Sequence, residues 1–392
     1  MFIKRIFLLS VPVILSVFIS CSESPTDIGA SLLNEDFIGV TQINSLTDSI
    51  SQSSSSVKQV VPLGISERIF IGKSHNVEAY SLINFWVYIS DSLLLEDFRQ
   101  DRINIISSTV QLANTYEIGD TNASLSFNVH NITSGWTSVG FTTDSLPLLQ
   151  YNAANIGSNI AITDSFSTFQ LDNSTVLSWI KDSEDSVINN DNGIFIAPVS
   201  ESRIVGFQAN SSSTDTITQP QMHVIYERAG DVDTIKFYAY EDVSVIEGEI
   251  PDGNNETIYV QAGLTSNAKL WFDLSGIPAN SVINFAELTL TLDTIQTVVG
   301  NSFTNSLNVY MILDSANIDS ITSGFTMSRD GGTFKGNITT IIQAMYTLQT
   351  NNGMLIRAGN RADGLELFAI KSSTAADSAL RPYLKITYTN KK

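Results

Sequence analysis

The stretch Lys269-Leu270-Trp271-Phe272-Asp273-Leu274-Ser275-Gly276-Ile277-Pro278, followed by Val282-Ile283-Asn284-Phe285-Ala286-Glu287-Leu288-Thr289-Leu290, decides the fold. Ile283-x-x-Ala286-x-Leu288-x-Leu290 ends with apolar residues at every second position, the spacing that turns them to one side of a strand. Earlier in the chain Ile105-x-x-Ser108-x-Val110-x-Leu112 repeats the pattern. Ahead of each lies a shorter run, Ile83-Asn84-Phe85 and Leu270-Trp271-Phe272, preceded by Gly72 and Gly263.

Working outward, the pairing continues in the same order. Phe127-Asn128-Val129-His130 meets Leu307-Asn308-Val309-Tyr310, and Asn192-Gly193-Ile194-Phe195-Ile196 meets Asn352-Gly353-Met354-Leu355-Ile356. Phe207 and Phe368 follow, and then two closing strands behind a proline, Pro220-Gln221-Met222-His223-Val224-Ile225-Tyr226 and Pro382-Tyr383-Leu384-Lys385-Ile386-Thr387-Tyr388. Landmarks in one shared order mark an internal repeat. The sequence therefore predicts domains at 36–228 and 231–390, with Arg228-Ala229-Gly230 as a hinge. Short strands between Gly, Asn, Asp and Ser turns make each an antiparallel β-sandwich, so the chain is expected to be all-β. Single helices are expected at Ser174 to Lys181 and Thr339 to Leu348.

The N-terminus reads as a lipoprotein signal peptide, residues 1–20: basic Lys4 and Arg5, an apolar run from Ile6 to Phe18, and Ser20 before Cys21. A run of 13 residues falls short of the roughly 20 that span a bilayer. Cys21 is the chain's single cysteine, so it forms no internal disulfide and fits lipid attachment. Residues 21–35 would be a lipidated tether holding the first domain near the membrane, at the outer membrane or cell surface. The net charge is −19, or −19 − 2 = −21 without Lys4 and Arg5, which argues against nucleic acid as a partner.

At these landmarks the chain resembles the DNRLRE-type domains of secreted and surface proteins. The second copy carries the resemblance in Lys269 to Pro278, in Val282 to Leu290 and in its closing Arg381-Pro382-Tyr383-Leu384-Lys385-Ile386-Thr387-Tyr388. The first copy departs from it, with Asn84-Phe85-Trp86-Val87 where the family has Asp after Phe, and with an insertion from Ser90 to Ile103. Its Gly135-Trp136-Thr137 and Phe141-Thr142 are similar to the family's tryptophan segment. The resemblance implies two tandem jelly-roll sandwiches, and some members of that family are carbohydrate-binding modules. The start Asp27-Ile28-Gly29-Ala30-Ser31-Leu32-Leu33 also resembles surface lipoproteins of Bacteroidota-like bacteria.

Catalytic signatures are thin. His75, His130 and His223 are scattered, and no Gly-x-Ser-x-Gly elbow, phosphate loop or His-Glu-x-x-His occurs. The chain is read as not an enzyme. A glycosidase needs only two carboxylates, which 40 acidic residues could supply anywhere, so polysaccharide breakdown stays as a third reading without support. Sugar binding needs an aromatic face ringed by amides and carboxylates. Alternation turns Phe85 and Phe272 inward and so Trp86 and Trp271 outward, which makes these two the candidate ligand-binding residues against a reading in which loops or a domain interface cover them. Trp136 and Trp179 read as packing residues. No cofactor is expected beyond a structural calcium: Asp182-Ser183-Glu184-Asp185 with Asn189 to Asn192, and Glu247-Gly248-Glu249 with Asp252 and Asn254, offer oxygen ligands but lack the twelve-residue loop pattern and read as solvated loops. The leading expectation is a lipid-anchored surface protein that binds a polysaccharide or another surface component. Its rival is an accessory subunit of a surface-assembly or export complex that binds protein through a sheet edge or face.

Overall fold

The computed structural model describes residues 39–59, 63–183, 193–212, 215–251, 253–264, 266–278 and 280–390; Cys21 and the tether lie outside them. In chain order come β1 (Gly39–Asn44), β2 (Gln52–Lys58), β3 (Arg68–Ser74), β4 (Val77–Phe85), α1 (Ser92–Arg99), β5 (Ile103–Gly119), β6 (Phe127–Asn131), β7 (Gly157–Ile162), β8 (Phe166–Leu171), α2 (Asn173–Asp182), β9 (Gly193–Pro198), β10 (Arg203–Gln208), β11 (Gln221–Arg228) and β12 (Asp231–Gly248). The second half adds β13 (Thr257–Gln261), β14 (Ser266–Phe272), β15 (Ser281–Thr291), β16 (Ser306–Asp314), β17 (Asn317–Ile321), β18 (Phe325–Asp330), β19 (Thr333–Asn337), α3 (Thr339–Thr347), β20 (Met354–Ala358), β21 (Leu367–Lys371) and β22 (Tyr383–Asn390). Strand pairing is antiparallel throughout, in two all-β sandwich units.

Alternation fills each interior. Phe85, Val110, Leu112, Phe127, Phe169 and Phe207 build the first core, and Leu270, Phe272, Ala286, Leu288, Leu290 and Phe368 the second. A fully buried Phe or Leu contributes about 1.5–3 kcal/mol, so stacks of this kind supply the main stabilisation of a chain with no internal disulfide. The helices α2 and α3 stand where the sequence places them. Asp172 caps α2 by accepting the Thr175 N–H, and Val176, Trp179 and Ile180 are its buried face. The Ser90 to Ile103 insertion holds one more helix, α1, capped by Asp91 and burying Leu94, Leu95 and Phe98.

The units do not divide at residues 228–231. Arg228-Ala229-Gly230 is a hairpin turn rather than a hinge: Ala229 and Gly230 take φ of 52° and 91°, and β11 pairs with β12 from Arg228↔Asp231 onward. The paired positive φ values match the turn whose twist suits a tight hairpin. β12 then continues across the first unit to pair with β4, burying Phe237, Ala239, Val243 and Val245 on the way. Conversely, β1 pairs with β22 and β2 with β14, so residues 39–58 belong to the second sheet. The two placements are equivalent. Ile235 faces Val224 in the first unit, and Ile43 faces Ile386 at the matching repeat position in the second. Each sandwich has one strand slot beside its closing strand and its Phe85 or Phe272 strand. The downstream segment fills the first slot and the N-terminal segment fills the second. From Gly39 the chain therefore enters the second unit first, not the first as the sequence suggests.

A third apolar cluster joins the units, with Leu63, Phe70, Tyr116, Ile118 and Ile204 meeting Leu365. Hydrogen bonds reinforce the seam: Glu67 N–H to Asp363 Oδ1 at 2.7 Å, Ser66 Oγ to the Ala362 carbonyl at 2.9 Å, and paired bonds between Glu117 and Asn301 at 2.9 Å.

Candidate functional site

Beyond β4, Phe85, Val87 and Ile89 enter the first core, so the residues between them turn outward. Those are Trp86 and Tyr88. Trp86 is 49% exposed, and its ring lies nearly parallel to Tyr88, 18° apart with centroids at 6.0 Å. The Trp86 backbone N–H donates to the Tyr238 carbonyl at 3.0 Å, which fixes the segment against β12. On β12, Phe237 and Ala239 point inward, so Tyr238 and Tyr240 alternate outward, and Tyr240 is 46% exposed. Four aromatics thus share one outer face. Side-chain amides stand beside them: Asn210 Nδ2 donates to the Tyr240 carbonyl at 2.8 Å and Gln219 Nε2 to the Ala239 carbonyl at 3.0 Å. An exposed tryptophan ring with amides near it suits the apolar face and rim hydroxyls of a sugar ring. Sequence reading found Trp86 but missed Tyr88, Tyr238 and Tyr240, although the same alternation, carried two residues further and across to β12, identifies all three.

Trp271 stands apart from this surface, in the other unit. It is half-buried, and its indole N–H donates to the Asn351 carbonyl at 3.2 Å. Next to it, a cavity of about 440 Å³ is lined by Asp273, Ser275, Tyr346, Gln349 and Asn351 among others. Hydrogen bonds from Ser275 hold the Asp273 carboxyl below the usual carboxylate range. The structure does not bring Trp86 and Trp271 together. Trp136 and Trp179 are buried, the former edge-on to Phe141 and the latter donating its indole N–H to Asn131 Oδ1 at 3.2 Å.

His130 is buried beside Phe195 and Tyr151 with Nδ1 facing the Asn152 carbonyl at 3.2 Å, and His75 sits in a turn with Nδ1 2.8 Å from Ser74 Oγ. On β11, burial pushes the His223 imidazole below its ordinary value. Of the acidic loops, Glu184 to Asn192 and Asp252 lie outside the described residues. Asn254 caps its own turn, accepting the Glu256 and Thr257 N–H groups at 2.7 and 2.9 Å. Among the described residues no group of three or more His, Cys, Asp or Glu side chains could hold a metal ion, and no helix is long and apolar enough to cross a membrane. Behind the aromatic face, Asp242 is buried and accepts the Asn210 N–H at 2.7 Å; burial pushes its carboxyl up to about 7.

No protein-family model matches the chain, and no curated protein matches it. The chain is similar to solved β-rich structures at low identity. One is the C-terminal domain of the Streptococcus agalactiae AgI/II polypeptide BspA, at 8% identity over 87% of this chain and 91% of that one, with a TM-score of 0.20. Another is the infectious bursal disease virus VP2 subviral particle, at 11% identity over 91% of this chain and 79% of that one, with a TM-score of 0.14. Likenesses this faint say nothing of ligand or partner.

Proposed function

We propose that this chain is a lipid-anchored, non-enzymatic surface protein that binds a glycan on the aromatic face of its first unit. The observation that carries the reading is the exposed Trp86 ring lying parallel to Tyr88, with Tyr238 and Tyr240 turned to the same side. Exposed aromatic rings gathered on one face offer a stacking surface for a sugar that scattered aliphatic side chains do not. Lipid on Cys21 would hold the body at the membrane. Because Gly39 opens β1 in the second sheet, a lipidated tether of residues 21–35 would lead into the second unit rather than the first.

The test is a glycan array with the detergent-solubilised full chain, followed by titration of whichever sugars bind. Trp86→Ala should weaken binding by roughly thirtyfold, the loss of about 2 kcal/mol typical of a dominant tryptophan contact, while leaving the unfolding midpoint nearly unchanged. No sugar binding at all would sink this reading. One feature favours the protein-binding rival: among the described residues β1 pairs with β22 alone and its Val40 is exposed, a sheet edge that an added strand could extend.

A further inference from the structure

On the outer face of the second unit, three donors converge on one oxygen. Gln59, just past the end of β2, offers its amide Oε1 to Asn267 Nδ2 at 2.8 Å, to an Arg357 guanidinium nitrogen at 2.9 Å and to an Arg361 guanidinium nitrogen at 3.0 Å. Two of the three donors are cationic, and a neutral amide oxygen is a weak acceptor for such a set. Arg357 is 9% exposed and Arg361 is half-buried, and the Nε of each is buried without a partner among the described residues. The charge is unbalanced as well. The ion pair here joins Arg357 to Asp319 at 3.2 Å; the Asp319 carboxylate, which also accepts from the Gln59 amide nitrogen and acts on Arg361, is 66% exposed and so offsets the two positive charges only in part. Desolvation, then repulsion from Arg357, pushes Arg361 below its ordinary value. Tyr310 lies under Arg357, its ring centroid 5.2 Å from the guanidinium carbon, and fixes the fork in place.

We propose that Arg357, Arg361 and Asn267 form an oxyanion-binding site, for a sulfate or carboxylate group, that the Gln59 amide occupies when no anion is bound. Burying two guanidiniums against an amide oxygen is costly unless a charged acceptor completes the set, and a planar or tetrahedral oxyanion offers enough lone pairs for both forks and the free Nε groups. In a chain of net charge −19 this is an isolated positive spot, suited to one anionic group rather than to a polyanion lying across the surface. The site is independent of the aromatic face on the first unit. If the glycan reading holds, it adds a preference: on β14, Asn267, Lys269 and Trp271 alternate along the same outer face, since Ala268, Leu270 and Phe272 enter the core. At about 6.7 Å per two residues, Trp271 stands roughly 13 Å from Asn267, so an acidic sugar chain anchored at the arginines would reach it.

The test uses the full chain with inorganic sulfate, galactose 6-sulfate, galacturonate and neutral galactose, by calorimetry at constant ionic strength. Sulfate, and whichever acidic sugar shares its geometry, should bind, and galactose should not. Arg361→Gln should weaken binding about tenfold or more, the loss of a charge-assisted hydrogen bond. Gln59→Ala should tighten it several-fold, because the competing amide is gone. A purely structural Gln59 makes the opposite forecast, a lower unfolding midpoint with no gain in anion binding, and that result would overturn the proposal. So would anion binding that Arg361→Gln leaves unchanged. Should Gln59→Ala fail to fold, Gln59→Ser answers the same question. Failure with all anions would leave a Trp86-dependent sugar signal standing, and the reverse also holds.

Discussion

Burial of Asp242 behind the aromatic face favours its neutral acid, and the single N–H from Asn210 only partly offsets that, which leaves its carboxyl raised to about 7. The unfolded chain has it near 3.8, so between about pH 4 and 7 the folded state holds a proton that the unfolded state has lost. Stability should therefore fall as pH rises through that window and level off above it, by up to ~4 kcal/mol for a shift of about three pH units. Asp242→Asn, which keeps an acceptor for Asn210 and carries no charge, should flatten this part of the profile; urea midpoints at pH 4.5 and 7.5 measure it, and an unchanged slope would show the group is not buried as described. Nothing at the residue level of the sequence pointed here, since Glu241-Asp242 reads as one more acidic pair in an acidic chain. Trp86 was legible because Phe85 and Val87 fix its direction by alternation. Alternation marks which way a side chain faces, but not whether a loop covers it, and on that count Trp86 and Trp271 part company.

Among the elements, β2 shows what a strand with a single apolar side chain relies on. Gln52-Ser53-Ser54-Ser55-Ser56-Val57-Lys58 has no hydrophobic stripe, so its place in the second sheet rests on the ladder to β14 and on hydroxyls. Ser54 Oγ donates to Ser373 Oγ at 3.1 Å and accepts the Ser373 N–H at 2.9 Å, and Ser56 Oγ accepts the Tyr259 N–H at 3.3 Å. Ser54→Ala should cost about 1 kcal/mol in urea unfolding, whereas Ser53→Ala, on the exposed side, should cost nothing measurable. The turn glycine that opens β20 is held more tightly. Gly353 sits at φ 91°, and a Cβ there would lie 2.5 Å from the Leu270 carbonyl oxygen, so Gly353→Ala should lower the thermal midpoint by several degrees. That Asn-Gly turn, the helices α2 and α3, and the apolar strands were readable from the sequence, because each carries a local signature in its own residues. The membership of β1, β2 and β12 was not, because alternation, even in the apolar β12, marks which way a side chain faces but not which strand lies beside it.

For the whole molecule, the exchanged strands make the repeat boundary and the folding boundary different things. A chain cut at 228–231 would leave the first unit without β12, exposing the edges of β4 and β11 and losing Phe237 and Ala239 from its core. It would also leave the second without β1 and β2, uncovering the edges of β14 and β22. Fragments 36–228 and 231–390 should therefore both be poorly folded and prone to aggregate, as unpaired strand edges are. A cut that follows the sheets behaves differently. Fragment 63–248 keeps β12 and the whole first core, and it should fold alone with dispersed amide NMR signals. Fragment 249–390 should need the N-terminal strands in trans: a peptide of residues 39–58 at millimolar concentration should order it, since in the intact chain the connection from β2 to β3 supplies that strand at a comparable effective concentration. A well-folded 231–390 fragment with no peptide added would contradict the exchange. In the intact protein the first unit is inserted between β2 and β13 of the second, so two chain connections join the units, and the Leu63–Leu365 seam adds apolar contact between them. Differential scanning calorimetry should accordingly show one cooperative transition for the full chain, and deleting residues 39–58 should split it into an early transition of the second unit and a later one of the first.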